Sequence, residues 1–219
     1  MLPTLNADFL TVLGLSILAY LMGSIPSAVW IGRALHRIDV REHGSGNAGA
    51  TNTFRVLGTQ AGIIVLALDI LKGLGAASLI LLLRNQIPPD TFQYVNLQLL
   101  FGFLAVLGHL FPVFAQFRGG KGIATLFGMI IAIHYPAALM CLGLFLIVLF
   151  TTRYVSLGSI LAALAFPIGL VYIFQEKTPL FIAFAITAAF LVVLTHQKNI
   201  KKLVNGTENK ANILRYRDR

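Results

Sequence analysis

The chain has 219 residues, a formal net charge of +9, 57% hydrophobic and only 11% charged residues, and a mean hydropathy of +0.82. These values exclude an ordinary soluble domain and indicate a polytopic, all-α membrane protein. The basic excess does not indicate nucleic acid in such a chain, because Lys and Arg mark cytoplasmic loops and the anionic lipid surface.

The first apolar stretch, residues 9–31, lacks a basic leader and a small-residue cleavage site, so it is expected to be retained as a span. After it comes HRIDVREH and then GSGNAGATNTFR, residues 44–55, whose first six letters match the dinucleotide fingerprint G-x-G-x-x-G. That fingerprint needs a buried strand before it and an acidic residue about 20 positions on. Ile38 and Val40 are too few apolar positions for a buried strand, and Asp69, 20 residues after Gly49, falls within the next apolar run. A Walker loop fails as well, since Ala50 stands where its lysine belongs. What survives is an anion cradle. Gly44, Gly46 and Gly49 open backbone N–H groups, Ser45, Asn47, Thr51 and Asn52 add hydrogen bonds, and Arg55 offers a planar fork for phosphate.

The second span is expected over 61–83 and carries Asp69 and Lys72 at i, i+3, which we read as a structural ion pair. The third, 94–116, ends near His109, a lone histidine read as a satisfied core group. RGGKG (residues 118–122) follows, with Lys121 at the positively polarised start of the next helix and Gly119 and Gly120 leaving the backbone open around it. Residues 123–150 form either one long tilted helix or two short spans broken at His134, Tyr135 and Pro136, because proline interrupts a helix. Spans over 154–174 and Pro179–Thr195 complete the set, followed by HQKNIKK, in which His196 and Asn199 share a face if the helix continues.

Charge placement decides the count. Seven spans, N-terminus outside and C-terminus cytoplasmic, put fourteen of seventeen Lys and Arg residues inside, all but Lys72, Arg84 and Lys177. Every polar motif then faces the cytoplasm in a single domain, 1–219, whose residues 196–219 include a basic tail. Cys141 is the one cysteine, so there is no disulfide framework, and no cluster has metal-ligand spacing. No histidine precedes an aspartate by five residues and no G-x-S-x-G elbow occurs, so acyl transfer would rest on positioning and electrostatics.

Taken together, GSIPSAVWIGR, GSGNAGATNTFRVLG, GHLFPVFAQFRGGKGIAT, RYVSL and HQKNIKKLVNGTE are similar, in order, to the motifs of the bacterial acyl-phosphate:glycerol-3-phosphate acyltransferases, the PlsY family. The match departs at Gln197 and Lys202, where the family commonly has arginine. The resemblance implies a seven-helix inner-membrane enzyme, active on its cytoplasmic side. It would move a fatty acyl group from acyl phosphate to the 1-hydroxyl of glycerol 3-phosphate, giving lysophosphatidic acid and phosphate. It implies Ser45, Arg55, Lys121, His196 and Asn199 as catalytic residues. Gly44, Gly46, Asn47, Gly49, Asn52, Gly119, Gly120 and Ser156 would bind substrate phosphate, with Ser24 and Arg41 as further candidates and Glu208 as a structural support. No cofactor or metal and no nucleic acid is expected; functional coupling to the enzyme that makes the acyl phosphate is. A transporter of an organic phosphate, the main alternative, would share the basic mouth but needs repeat symmetry and a midplane site, at which only Asp69 and Lys72 hint. A lipid-binding scaffold explains the basic tail but not the glycine loops.

Overall fold

The computed structural model describes residues 8–89 and 91–211; the end of the basic tail, with Arg215, Arg217 and Arg219, lies outside the described residues. The described chain is helical, in two compact units, Met1–Tyr135 and Pro136–Arg219.

The first unit contains α1 (Phe9–Gly23), α2 (Ser27–His36), α3 (Ala50–Leu57), α4 (Thr59–Ala77), α5 (Phe92–Leu110) and the start of α6 (Ile123–Thr152). The stretch expected as one span over 9–31 is a pair of helices bent by 42°. Pro26 lacks an N–H to extend α1, and it stands at the N-cap of α2. Likewise α4 tightens into a 3-10 segment, Ser78–Leu83, and α5 stops before Pro112.

Glycines bring these helices close, as small residues do in membranes. A Cβ on Gly108 of α5 would strike the Tyr20 carbonyl and the Ser24 amide, and one on Gly23 would strike Ala105. Gly73 of α4 lies on the Thr125 carbonyl, and Gly128 of α6 on that of Ile70. Around this frame Ala19, Ile80, Leu83, Phe101 and Ala105 form an apolar core. The outward faces are apolar too: Leu71 is 57% and Leu82 68% exposed, which fits lipid rather than water as the outer solvent.

Interruption of α6 falls where the sequence places it, with His134 in extended backbone (φ −151°, ψ 79°) two residues before Pro136. Pro136 has no N–H for the Ala132 carbonyl four residues earlier. Gln98 of α5 supplies the missing donor, its Nε2 lying 2.9 Å from that oxygen.

The second unit holds the rest of α6 with α7 (Val155–Tyr172), α8 (Pro179–Thr195) and α9 (Gln197–Val204). Gly158 and Gly169 of α7 admit Phe145 and Met140 of α6, and Phe166 packs edge-on against Phe181 with centroids 6.0 Å apart. Among the described residues, four stretches are long and apolar enough to cross a membrane alone, Thr59–Leu83, Phe92–Ala115, Ile123–Thr152 and Val155–Tyr172; counting α1 with α2 and α8 with α9 each as one bent span gives six.

Candidate active site

Three bonds from one side chain shape the glycine loop. Asn52, fully buried on α3, accepts the Ser45 amide N–H on its Oδ1 at 2.8 Å and donates through Nδ2 to the Val40 and His43 carbonyls at 2.8 and 3.1 Å. Its amide is thus engaged in bracing the loop from within, where the sequence suggested a phosphate ligand. Gly44 and Gly46 have φ of +61° and +72°, and a Cβ at Gly44 would collide with Asn52 Oδ1, so glycine is required there. Gly49 closes the loop as N-cap of α3, its carbonyl accepting from the amides of Asn52 and Thr53 at 3.1 Å. Ser45 is exposed on the loop, Asn47 is half-buried, and Arg55 is exposed in the last turn of α3.

Arg41 ties this loop to the next. Its guanidinium donates to both oxygens of Asp39, the shortest contact 2.7 Å, and through Nη1 to the Ala115 carbonyl at 3.0 Å. The Arg41 hydrogen bonds hold the Asp39 carboxyl well below the usual carboxylate range, and Asp39 in turn raises Arg41. Arg41, a sequence candidate for substrate contact, is therefore a strap between chain segments.

RGGKG then packs directly on the first loop. The Gly120 N–H donates to the His109 carbonyl at 3.2 Å, and a Cβ on Gly120 would strike the His109 ring and the Ala48 carbonyl. Gly119 is pressed on the His109 carbonyl in the same way. The two glycine motifs, some 70 residues apart in sequence, line one small cleft through Ala48, Gly119 and Gly120, with Ser27, Lys72 and His109 beside them. Lys121 follows, half-buried, just before α6 begins at Ile123.

Beneath lies the expected Asp69 and Lys72 pair, Nζ to Oδ1 2.9 Å, both side chains at least 94% buried. The pair is larger than the spacing indicates. Ser27 Oγ donates to the same Asp69 oxygen at 3.0 Å, Lys72 donates to the Ile25 carbonyl at 3.0 Å, and His109 Nδ1 lies 3.6 Å from Asp69. No spacing rule reaches Ser27 or His109, since they arrive from α2 and α5. Ser24 is fully buried at the α1–α2 turn, its Oγ without a hydrogen-bond partner among the described residues.

A second polar cluster is centred on Glu208 in the second unit. Its Oε1 accepts from Ser156 Oγ at 3.0 Å and from Asn199 Nδ2 at 2.8 Å, joining the first turn of α7 to α9. The Ala211 amide donates to the Arg153 carbonyl at 2.7 Å and holds the following segment. His196 and Asn199 do not share a continuous helix: α8 and α9 are bent by 62°, and His196 (φ −103°, ψ 8°) is the joint. The turn leaves Ile200 and Leu203 half-buried and puts Lys198, Lys201 and Lys202 into solvent. His196 itself is 3% exposed, with Nδ1 2.8 Å from the Val192 carbonyl. A carbonyl only accepts, so Nδ1 is the donor in this contact.

Fold and site together define an all-helical integral-membrane protein that carries two abutting glycine loops beside basic side chains. A family model described as glycerol-3-phosphate acyltransferase matches residues 13–206. Glycerol-3-phosphate acyltransferases of Chlorobium chlorochromatii (strain CaD3) and Chlorobaculum parvum (strain DSM 263 / NCIMB 8327) are 41% and 43% identical to the chain, each match covering 92% of it and 97% of the relative. Among solved structures, PlsY (YgiH), an integral membrane glycerol 3-phosphate acyltransferase, is similar in its glycerol 3-phosphate form with a TM-score of 0.82 and in its lysophosphatidic acid form with 0.77. Both are 35% identical to the chain, cover 93% of it and are covered over 97% of their own length. The chain belongs to the glycerol-3-phosphate acyltransferase family, and is a membrane acyltransferase.

Proposed function

We propose that the protein uses acyl phosphate as donor and transfers its acyl group directly to the 1-hydroxyl of glycerol 3-phosphate, without an acyl-enzyme. The hydroxyl oxygen attacks the acyl carbonyl carbon, and the bond from that carbon to the phosphate oxygen breaks. The hydroxyl proton passes to a donor phosphate oxygen, so lysophosphatidic acid and inorganic phosphate leave. An acyl phosphate is a mixed anhydride with a good leaving group, so catalysis reduces to holding two anions together and stabilising the departing charge. The observation that carries this reading is the abutment of the two glycine loops at Ala48 and Gly120, with Lys121 the next residue along the chain.

In this reading Ser45 with Gly44, Gly46, Asn47 and Gly49, and Gly119 with Gly120, cradle phosphate oxygens. Arg55 and Lys121 neutralise them, His196 orients the acceptor, and Asn199 and Ser156 hold its polar groups. Asn52 and Arg41 act through the loops they fix. We further propose one catalytic domain in the bacterial inner membrane, crossing seven times with α6 counted twice at its His134 break. Its N-terminus is outside and its polar motifs are cytoplasmic, beside the enzyme that makes the acyl phosphate. The clustering of Lys and Arg on one side supports this topology.

The test is phosphate release by purified protein in lipid with acyl phosphate, with and without glycerol 3-phosphate. Acceptor-dependent release by wild type, reduced at least about 100-fold in Lys121→Ala, is expected, since removing one group that stabilises developing charge costs about that much. Release that ignores the acceptor, from a well-folded sample, overturns the reading.

A further inference from the structure

We propose that the buried Asp69 and Lys72 are positioning residues whose contacts with Ser27, Ile25 and His109 hold the RGGKG loop in its working place. The inference rests on the acyltransferase reading, and gives that site a part below the loops.

Two ions inside a helical membrane unit are expensive, and an apolar pair of equal volume commonly packs as well or better. Here they are kept and fully used. Asp69 Oδ1 receives Lys72 Nζ at 2.9 Å and Ser27 Oγ at 3.0 Å, with His109 Nδ1 at 3.6 Å; Lys72 also holds the Ile25 carbonyl at 3.0 Å. One carboxylate from α4 therefore ties the start of α2 and lies against the ring of His109 at the end of α5. The hydrogen-bond partner of the His109 Nδ1 is Thr125 Oγ1, 3.2 Å away on the first turn of α6. His109 is what RGGKG rests on: its carbonyl takes the Gly120 N–H at 3.2 Å and its ring fills the space where a Gly120 side chain would be. Lys72 lines the cleft that Gly119, Gly120 and Ala48 also line, so a shift of the pair reaches both glycine loops. Lys121 is the next residue along, and misplacing a catalytic group by about 1 Å can cost about 100-fold.

The experiment compares wild type with Asp69→Asn/Lys72→Met, in which both charges are gone and none is left unpaired, in lipid. Thermal unfolding, hydrogen exchange at Gly120 and steady-state kinetics in both substrates are measured on each. A wild-type unfolding temperature, with faster exchange at Gly120 and kcat/KM down at least about tenfold, is expected. Wild-type exchange, or wild-type kcat/KM whatever the exchange does, shows that the pair is filler and overturns the proposal. If the double variant does not fold, Ser27→Ala decides in its place by the same two readouts, since it removes one of the contacts of Asp69 without leaving a charge bare. Wild-type protein that shows the Gly120 protection but no acceptor-dependent turnover would defeat the acyltransferase reading instead, leaving the loop's anchorage as measured.

Discussion

Asn52 shows how much one buried side chain can decide. Replacing it with alanine takes the acceptor from the Ser45 N–H and one donor from each of the Val40 and His43 carbonyls, and empties a fully buried position. Each orphaned group costs about 1–3 kcal/mol, so Asn52→Ala should lose on the order of 3 kcal/mol and most activity. Asn52→Asp keeps the acceptor but turns an oxygen towards two carbonyls, and should be no better. Thermal unfolding in detergent checks both, and an aspartate variant as stable as wild type would disprove the bracing. At Asp39 the sign of a pH effect follows from the same kind of accounting. Its pKa in the folded protein lies below the ordinary value of about 3.9, chiefly through Arg41, so its contribution is complete above that value and is lost as pH falls through the depressed one. Asp39→Asn should therefore be less stable than wild type by a constant margin from pH 8 to about pH 5, the margin shrinking below about pH 4. A margin that widens in acid would contradict the assignment. Neither role is visible in the sequence: residue chemistry marks Asn52 and the family resemblance marks Arg41 as candidates for substrate phosphate, while their protein partners are chosen by folding.

At the scale of elements, apolar runs gave the helices well and their ends less well. Pro179–Thr195 was read to the residue, and the α6 break falls within the expected triplet. The first expected span runs straight through Pro26, because apolar runs lie on both sides of GSIPS and hydropathy does not register a bend. Nor does a sequence say which neighbour repairs a proline. Gln98 does so for Pro136 through the Ala132 carbonyl. Gln98→Leu should lower the unfolding temperature by leaving that oxygen unpaired at a cost of about 1–3 kcal/mol. Adding Pro136→Ala restores an N–H at the fourth residue on and should recover most of the loss. Independent, additive effects of the two substitutions would show that they do not share the Ala132 oxygen.

For the whole molecule the open quantity is topology, and charge makes it measurable. With the native Cys141 replaced by alanine, single cysteines at Arg84 and Lys177 should react with a membrane-impermeant thiol reagent in intact cells. Cysteines at Arg37 and Lys198 should react only after the inner membrane is opened. Labelling of the Lys198 position from outside would mean that α6 crosses once and that the tail is external. The same +9 charge and +0.82 mean hydropathy that pose this question settled the class of the protein at the outset.

By itself the sequence determined the membrane class, the positions of the helices, the two glycine motifs and the cations beside them, and through its resemblance the family. These are properties of neighbours along the chain, carried by composition, hydropathy and short spacings. The tertiary structure decided which polar groups satisfy one another: Arg41 with Ala115 across 74 residues, Ser156 with Glu208 across 52, Ser27 with Asp69 across 42. It also decided that His196 is a joint rather than a helical face. The reason is that burial presses polar groups to find partners but leaves the choice to whichever helix packs alongside, and that choice is made in space.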